Sequence, residues 1–345
     1  MLVARFASPS LLGILLIASS AFAQDGTLVV ANRQGGSISF FDLEAGAEIA
    51  RVPIGSSIPH EVDVSPDGRL ALTAEYGPNS KPGQHVVLID IATATIVARI
   101  DLGPNSRPHS VIFLPNGLQV VATMQDSDQL ALIDLEAQKV LRTYPTGGRE
   151  GHMVRISPDG NRAYVTNRGA QGTLSVIYLD DDRPPDVIQT GPGAEGLAVT
   201  PDGAEIWVSN RMDESISIVD ARSLEITTTL DALPFAGRLE IGENGLAAIT
   251  NGRNGVDPVP QILRVMDVGA RTVASDVPIR DGTPQNGNFG VMIHGNIAYV
   301  ADPGAGTVQT FSLDGSGTRQ VLIAGHEGPD GLAWSPIRLS VMTAD

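Results

Sequence analysis

The sequence predicts an all-β fold: a seven-bladed β-propeller with four antiparallel strands per blade. Three observations carry this prediction. A tight-turn element recurs about every forty residues, as repeat architectures require. Short apolar runs of strand length follow each recurrence. Turn residues are dense, with 38 Gly and 23 Pro in 345 residues, whereas helix-period runs are scarce.

The recurring element is the end of a first strand and its turn. Residues 60–68 read HEVDVSPDG, 109–117 read HSVIFLPNG, 152–160 read HMVRISPDG and 195–203 read EGLAVTPDG. A shorter copy, DGLAWSP, occupies 330–336, and degenerate copies begin near Arg238 and Phe289. Together they make seven first strands. Pro presets φ in the turn and Gly accepts positive φ, so each copy reverses the chain. The third copy shows the rest of a blade: Ala163–Asn167 is a second strand, Thr173–Tyr178 a third and Asp186–Thr190 a fourth. Four antiparallel strands repeated seven times predict a propeller.

Ring closure is expected from the two termini. The N-terminal copy supplies Thr27–Asn32, Ser37–Asp42 and Glu48–Val52 but lacks a first strand, and Gly331–Ser335 supplies one. The closing blade would then be shared by the N- and C-termini, which hides its edges. Leu28–Asn32 and Leu339–Ala344 both have strand character and compete for its second-strand slot.

Ala163–Tyr164–Val165–Thr166–Asn167 carries a family resemblance. Over residues 25–340 the chain resembles the YVTN-repeat, YncE-like family of exported bacterial β-propellers. The resemblance implies the propeller fold. It also implies a range of roles: some relatives are lactonases, others accompany periplasmic quinoprotein or metal systems, and one is described as binding DNA.

Residues 1–23 read as a removable leader. Arg5 gives a positive start, Leu11–Ala18 an apolar run, and Ala21–Phe22–Ala23 a small-residue cleavage site. The mature propeller would span 24–345 in the periplasm or medium, and no apolar run is long enough for membrane insertion. Loss of Arg5 takes the formal net charge from −16 to −17. That acidity argues against nucleic acid, whose phosphates need a basic face, and so against DNA binding here. The absence of Cys excludes thiol catalysis, Cys zinc sites and c-type haem attachment. The chain contains no Gly-x-Ser-x-Gly elbow, P-loop or dinucleotide fingerprint. A monomer is expected.

Strand direction gathers the fourth-to-first and second-to-third connections on one upper face, the usual place for a propeller ligand. Six residues before each turn Pro lies one equivalent position per blade. It holds Asp330, His60, His109, His152 and Glu195 on five consecutive blades. His with carboxylate is a ligand set for a divalent transition metal, the one cofactor the sequence suggests. His109, His152 and Glu195 would equally serve as general acid and base. The structural alternative is that the His side chains only bond neighbouring blades.

A second constellation is basic. Arg33, Arg168 and Arg211 each follow the Asn ending a second strand, and Arg253 follows two after Asn251. Arg107, Arg149, Arg238 and Arg280 fall in expected fourth-to-first connections. Arg forks suit carboxylates and phosphates. Inter-blade pairing with Glu75, Asp126, Glu150, Glu214 and Asp302 is the alternative. Tyr76 on a long upper loop and His326 in the last connection complete the candidate ligand contacts. His85 and His294 break the register and are expected at the surface; Trp207 and Trp334 are expected in the core.

Three functional readings follow. One is a propeller that binds a small anionic molecule or a periplasmic protein as an accessory to a pathway. Another is a metal-dependent or His/carboxylate hydrolase or lyase of lactone type. The last is an interaction scaffold without a small-molecule site.

Overall fold

The computed structural model describes residues 25–55, 58–252, 259–280, 289–316, 319–323 and 325–339. The leader and its cleavage site lie outside them. The described residues form seven four-stranded antiparallel sheets, each with its strands in sequential order apart from the closing one. We number the blades from the closing blade. Their inner strands are Pro329–Ser335 (blade 1), Pro59–Val64, Gly290–His294 (blade 7) and, between these, Pro108–Phe113, Gly151–Ile156, Ala194–Val199 and Ala236–Ile241.

Packing explains why the middle strands read as nearly continuous apolar runs. Each sheet is covered on both faces by its neighbours, so both side-chain sets are buried. The core accordingly divides into seven clusters, one per blade interface. Between blades 4 and 5, Tyr164, Leu174 and Val176 meet Leu197, Ile206 and Val208. Trp207 is fully buried between blades 5 and 6. Fourth strands form the rim and expose Val97, Leu141, Val187, Val273 and Val321. Most of them shift register against the third strand, and such bulges blunt an open edge.

The termini share blade 1. Thr27–Asn32 pairs antiparallel with Pro329–Ser335 and with Ser37–Asp42. Leu28–Asn32 therefore holds the second-strand slot. The reason lies in the chain after Ser335. Pro336 packs against Gly68 of blade 2, Ser335 Oγ donates to the Gly68 carbonyl at 2.6 Å, and Ile337 and Leu339 cover the core between blades 1 and 2. The rest of the competing run, 340–344, lies outside the described residues.

The two halves of the repeat signature have separable jobs. In the turns, Ser65, Ser157 and Thr200 donate to Asp67, Asp159 and Asp202 at 2.6, 2.5 and 2.6 Å, while Gly68, Gly160 and Gly203 take positive φ. At the other end, the Asn closing a second strand ties the next connection. Asn167 Nδ2 donates to Thr173 and Ser175, and Asn210 Nδ2 to Ser215 and Ser217, at 2.8–3.0 Å.

Candidate functional site

The inner strands of blades 2 to 6 share a β-bulge near their upper ends, at 59–62, 108–111, 151–154, 194–197 and 236–239. A bulge leaves a backbone group without its ladder partner and re-aims side chains. In blades 3 to 5 the hydroxyl before the last residue of the second strand fills that gap. Thr123 Oγ1 accepts from Ser110 N at 3.0 Å and donates to the His152 carbonyl at 2.9 Å. Thr166 Oγ1 accepts from Met153 N at 3.1 Å and donates to the Glu195 carbonyl at 3.2 Å. Ser209 repeats the device between Gly196 N and the Gly237 carbonyl at 2.8 and 2.7 Å. The Thr of the YVTN element thus completes the bulge in its own blade and fixes the row position of the next.

That row is a contiguous arc. Asp330 Oδ2 lies 3.2 Å from His60 Nδ1. The His60 and His109 ring centroids are 4.1 Å apart, and those of His109 and His152 are 3.9 Å apart. His152 Nε2 lies 3.7 Å from Glu195 Oε1. The five are only 6, 1, 1, 1 and 3% exposed for His60, His109, His152, Glu195 and Asp330. They form a buried layer rather than groups splayed into open solvent.

Above the layer stand Tyr76 and arginines. Tyr76 sets its ring edge-on to His60 and His109, with centroids 5.2 and 5.3 Å away, and the Arg107 guanidinium lies 4.3 Å over the Tyr76 ring. Arg33 reaches Asp330 at 3.7 Å, and Arg168 and Arg211 reach Glu195 at 3.2 and 3.7 Å. Below the layer, Glu61 pairs with Arg238, whose Nη1 also meets Met153 Sδ at 3.0 Å. Under that plug opens a channel cavity of about 310 Å³, lined in part by Asp63, Arg155 and Glu240. Arg155 bridges to Glu240 there at 2.8 Å. Burial pushes the Asp63 carboxyl up to about 6.

Electrostatics set the protonation of the row. Burial holds all three imidazoles well below the usual histidine range. Nearby cations reinforce this, Arg33, Arg238 and Arg168 for His60 and Arg168 and Arg238 for His152. The imidazoles are neutral near pH 7. Burial and then the Glu61 charge push the Asp330 carboxyl up. Four guanidiniums, of Arg33, Arg168, Arg211 and Arg238, thus face three carboxyl groups, of Glu61, Glu195 and Asp330. The site holds a positive excess within an acidic protein.

Several candidate residues fall elsewhere. Arg238 is not in a surface connection: it lies within the inner strand Ala236–Ile241, 5% exposed and turned into the channel by the bulge. Arg253 lies outside the described residues. His326 lies among Asn32, Glu48 and Phe41, with Nδ1 3.1 Å from Asn32 Oδ1 and Nε2 3.4 Å from Glu48 Oε2. These contacts make it part of the blade 1 wall. Arg107 and Arg280 meet the expected partners Asp126 and Asp302, whereas Arg149 meets Asp128, which is not among them. His85 bonds Glu75. His294 stacks on the half-buried Trp334 at 3.8 Å, lining the lower channel. Glu61 is the residue that sequence reasoning passed over. It follows His60 directly and shares the register of Arg238, a charge pair across the channel that repeat alignment could have exposed.

Fold and site define a seven-bladed β-propeller that seats a buried His–carboxylate row, overlaid by arginine, at the top of its central channel. A model of the YNCE-like beta-propellers matches residues 115–279 of the chain. Protein NirF of Stutzerimonas stutzeri is 23% identical over 65% of this chain and 61% of its own. Protein NirF of Pseudomonas aeruginosa is 24% identical over the same shares. The chain therefore spans about 61% of the length of these curated relatives. Among solved structures, Kuenenia stuttgartiensis hydrazine synthase is similar at 17% identity and a TM-score of 0.63, over 74% of this chain and 77% of that one. A functionally unknown protein from Desulfotomaculum acetoxidans is similar at 16% identity and a TM-score of 0.71, over 90% and 99%. At such identities the likeness shows the fold.

Proposed function

We propose that this chain is an exported binding propeller, accessory to a periplasmic pathway, that takes a small anionic ligand at its upper face. The carrying observation is the charge count of the site: four guanidiniums against three carboxyl groups, in a chain of net charge −16. The pushed-up Asp330 carboxyl enlarges the excess. Arg33 meets Asp330 at 3.7 Å, too far for a bidentate fork. An incoming carboxylate or phosphate offers Arg33 a closer partner beside the guanidiniums of Arg168 and Arg211, and Tyr76 offers an adjacent flat surface. The 1–23 leader supports export.

Thermal melting of the mature protein with inorganic phosphate, citrate and succinate tests the reading. A ligand at 100 times its Kd stabilises the fold by about 2.7 kcal/mol. At least one anion is expected to raise the melting temperature, and the Arg168→Ala, Arg211→Ala double variant is expected to lose that shift. A shift equal in the folded double variant, or none with any anion while a protein partner binds the same face, refutes the small-ligand reading.

A further inference from the structure

We infer that His60, Glu61 and His109 form a binding site for a first-row divalent transition-metal ion, at the base of the upper-face funnel. One ligand atom from each of the three residues lies within 4.8 Å of the other two. Within that group, His60 Nδ1 is 3.2 Å from Glu61 Oε1. Two donors on one ion, each with a bond of about 2.1 Å, stand about 3.0–3.4 Å apart. The His60–Glu61 edge therefore already has the spacing of a coordinated pair, and His109 stands within 4.8 Å of both.

The hydrogen-bonding record points the same way. Nδ1 of His60 and Nδ1 of His109 are both buried, and neither has a hydrogen-bond partner among the described residues. Buried polar atoms normally find partners. His60 Nδ1 sits between two carboxylate oxygens, Glu61 Oε1 and Asp330 Oδ2, each 3.2 Å away, without hydrogen-bond alignment to either. A cation between these atoms satisfies all of them together.

Two imidazoles and one carboxylate are the donor set of open zinc and iron sites, and not that of calcium or magnesium, which take oxygen. Asp330 Oδ2 is placed as a fourth donor. The surroundings supply orientation. Arg238 Nη2 holds Glu61 Oε1 itself and is contacted by Met153, so an ion takes that oxygen's remaining lone pair while Arg238 fixes the carboxylate's geometry. Tyr76 and the His152 ring wall off two sides. His152 and Glu195 pair with each other and stand outside the three-residue set. The inference does not need anion binding, since its three donors do not include Arg33, Arg168 or Arg211, although the fourth donor Asp330 is the carboxylate that Arg33 meets.

The test uses the mature full-length protein, stripped with chelator and titrated with Co2+ in a weakly coordinating buffer. The expected result is about one equivalent bound, with visible ligand-field absorption. His109→Gln and Glu61→Gln are expected to weaken binding more than about 100-fold, with folding checked by circular dichroism. X-ray absorption of the wild-type complex is expected to show two imidazoles, and this reading holds whether or not the variants fold. No stoichiometric Co2+, an unchanged affinity in folded His109→Gln, or a coordination shell with fewer than two imidazoles overturns the inference.

Discussion

Thr166→Val tests the central structural claim, that the Thr of the repeat signature builds the row above the channel. Val has nearly the same shape, so the change removes a hydroxyl and little volume. Two buried contacts are lost. Met153 N no longer has the Thr166 acceptor at 3.1 Å, and the Glu195 carbonyl no longer has the donor at 3.2 Å. Neither lost group regains water, because Met153 and Glu195 are 4 and 1% exposed. Met153 N is left unmatched, at about 1–3 kcal/mol, while the Glu195 carbonyl keeps the His152 Nδ1 contact at 3.3 Å and loses one ordinary hydrogen bond, about 0.5–1.5 kcal/mol, so the two losses come to about 1.5–4.5 kcal/mol before relaxation. The added methyl returns about 1 kcal/mol of apolar burial. The expected net loss is about 0.5–3.5 kcal/mol. Urea unfolding followed by fluorescence checks it, through a lower midpoint at an unchanged slope. Thr166→Ser, which keeps the oxygen, should recover most of the loss. Thr250→Val should cost less, because Thr250 is seen in one such bond, to the Phe289 carbonyl at 2.8 Å. A Thr166→Val loss below about 0.5 kcal/mol, the range of an ordinary surface change, refutes the reasoning.

Three further outcomes are expected. Trp207→Ala should destabilise the fold by about 3–5 kcal/mol in the same assay, because the ring is fully buried between blades 5 and 6. Gly290→Ala should cost about 3 kcal/mol, since a Cβ there would strike the Asp330 carbonyl oxygen; a variant as stable as the parent would show that blades 7 and 1 can separate freely. Deleting the chain from Pro329 onward removes the inner strand of blade 1 and leaves Thr27–Asn32 an unpaired edge. Light scattering should then show self-association, and a truncated chain that stays the size of the parent with its melting unchanged would contradict closure by the two termini.

The sequence makes the fold legible because the propeller writes each blade in one local grammar. Pro-Asp-Gly reverses the chain, an apolar run fills a sheet covered on both faces, and Thr-Asn ends the second strand at the upper face. Each of these acts within a few residues of its own position, so each recurs visibly. The row of Asp330, His60, His109, His152 and Glu195 is legible for the same reason, since alignment of the turns places one residue per blade at one height. Its consequences are not legible. Burial of the five, and with it the neutral state of the imidazoles, follows from Tyr76 and arginines arriving from other blades. The bulge is equally hidden, because it depends on a hydroxyl in a strand paired across space. Without it, Arg238 reads as part of a surface connection; with it, Arg238 turns inward and finds Glu61, 177 residues away in sequence. That pair decides what the centre of the site can be. A buried Arg238 without Glu61 would be an uncompensated charge, and Glu61 without Arg238 would be free to rotate away from His60. Held together, they keep a carboxylate oxygen 3.2 Å from an imidazole nitrogen at the head of the channel, an arrangement that turns a row of repeat positions into a set of aimed donors.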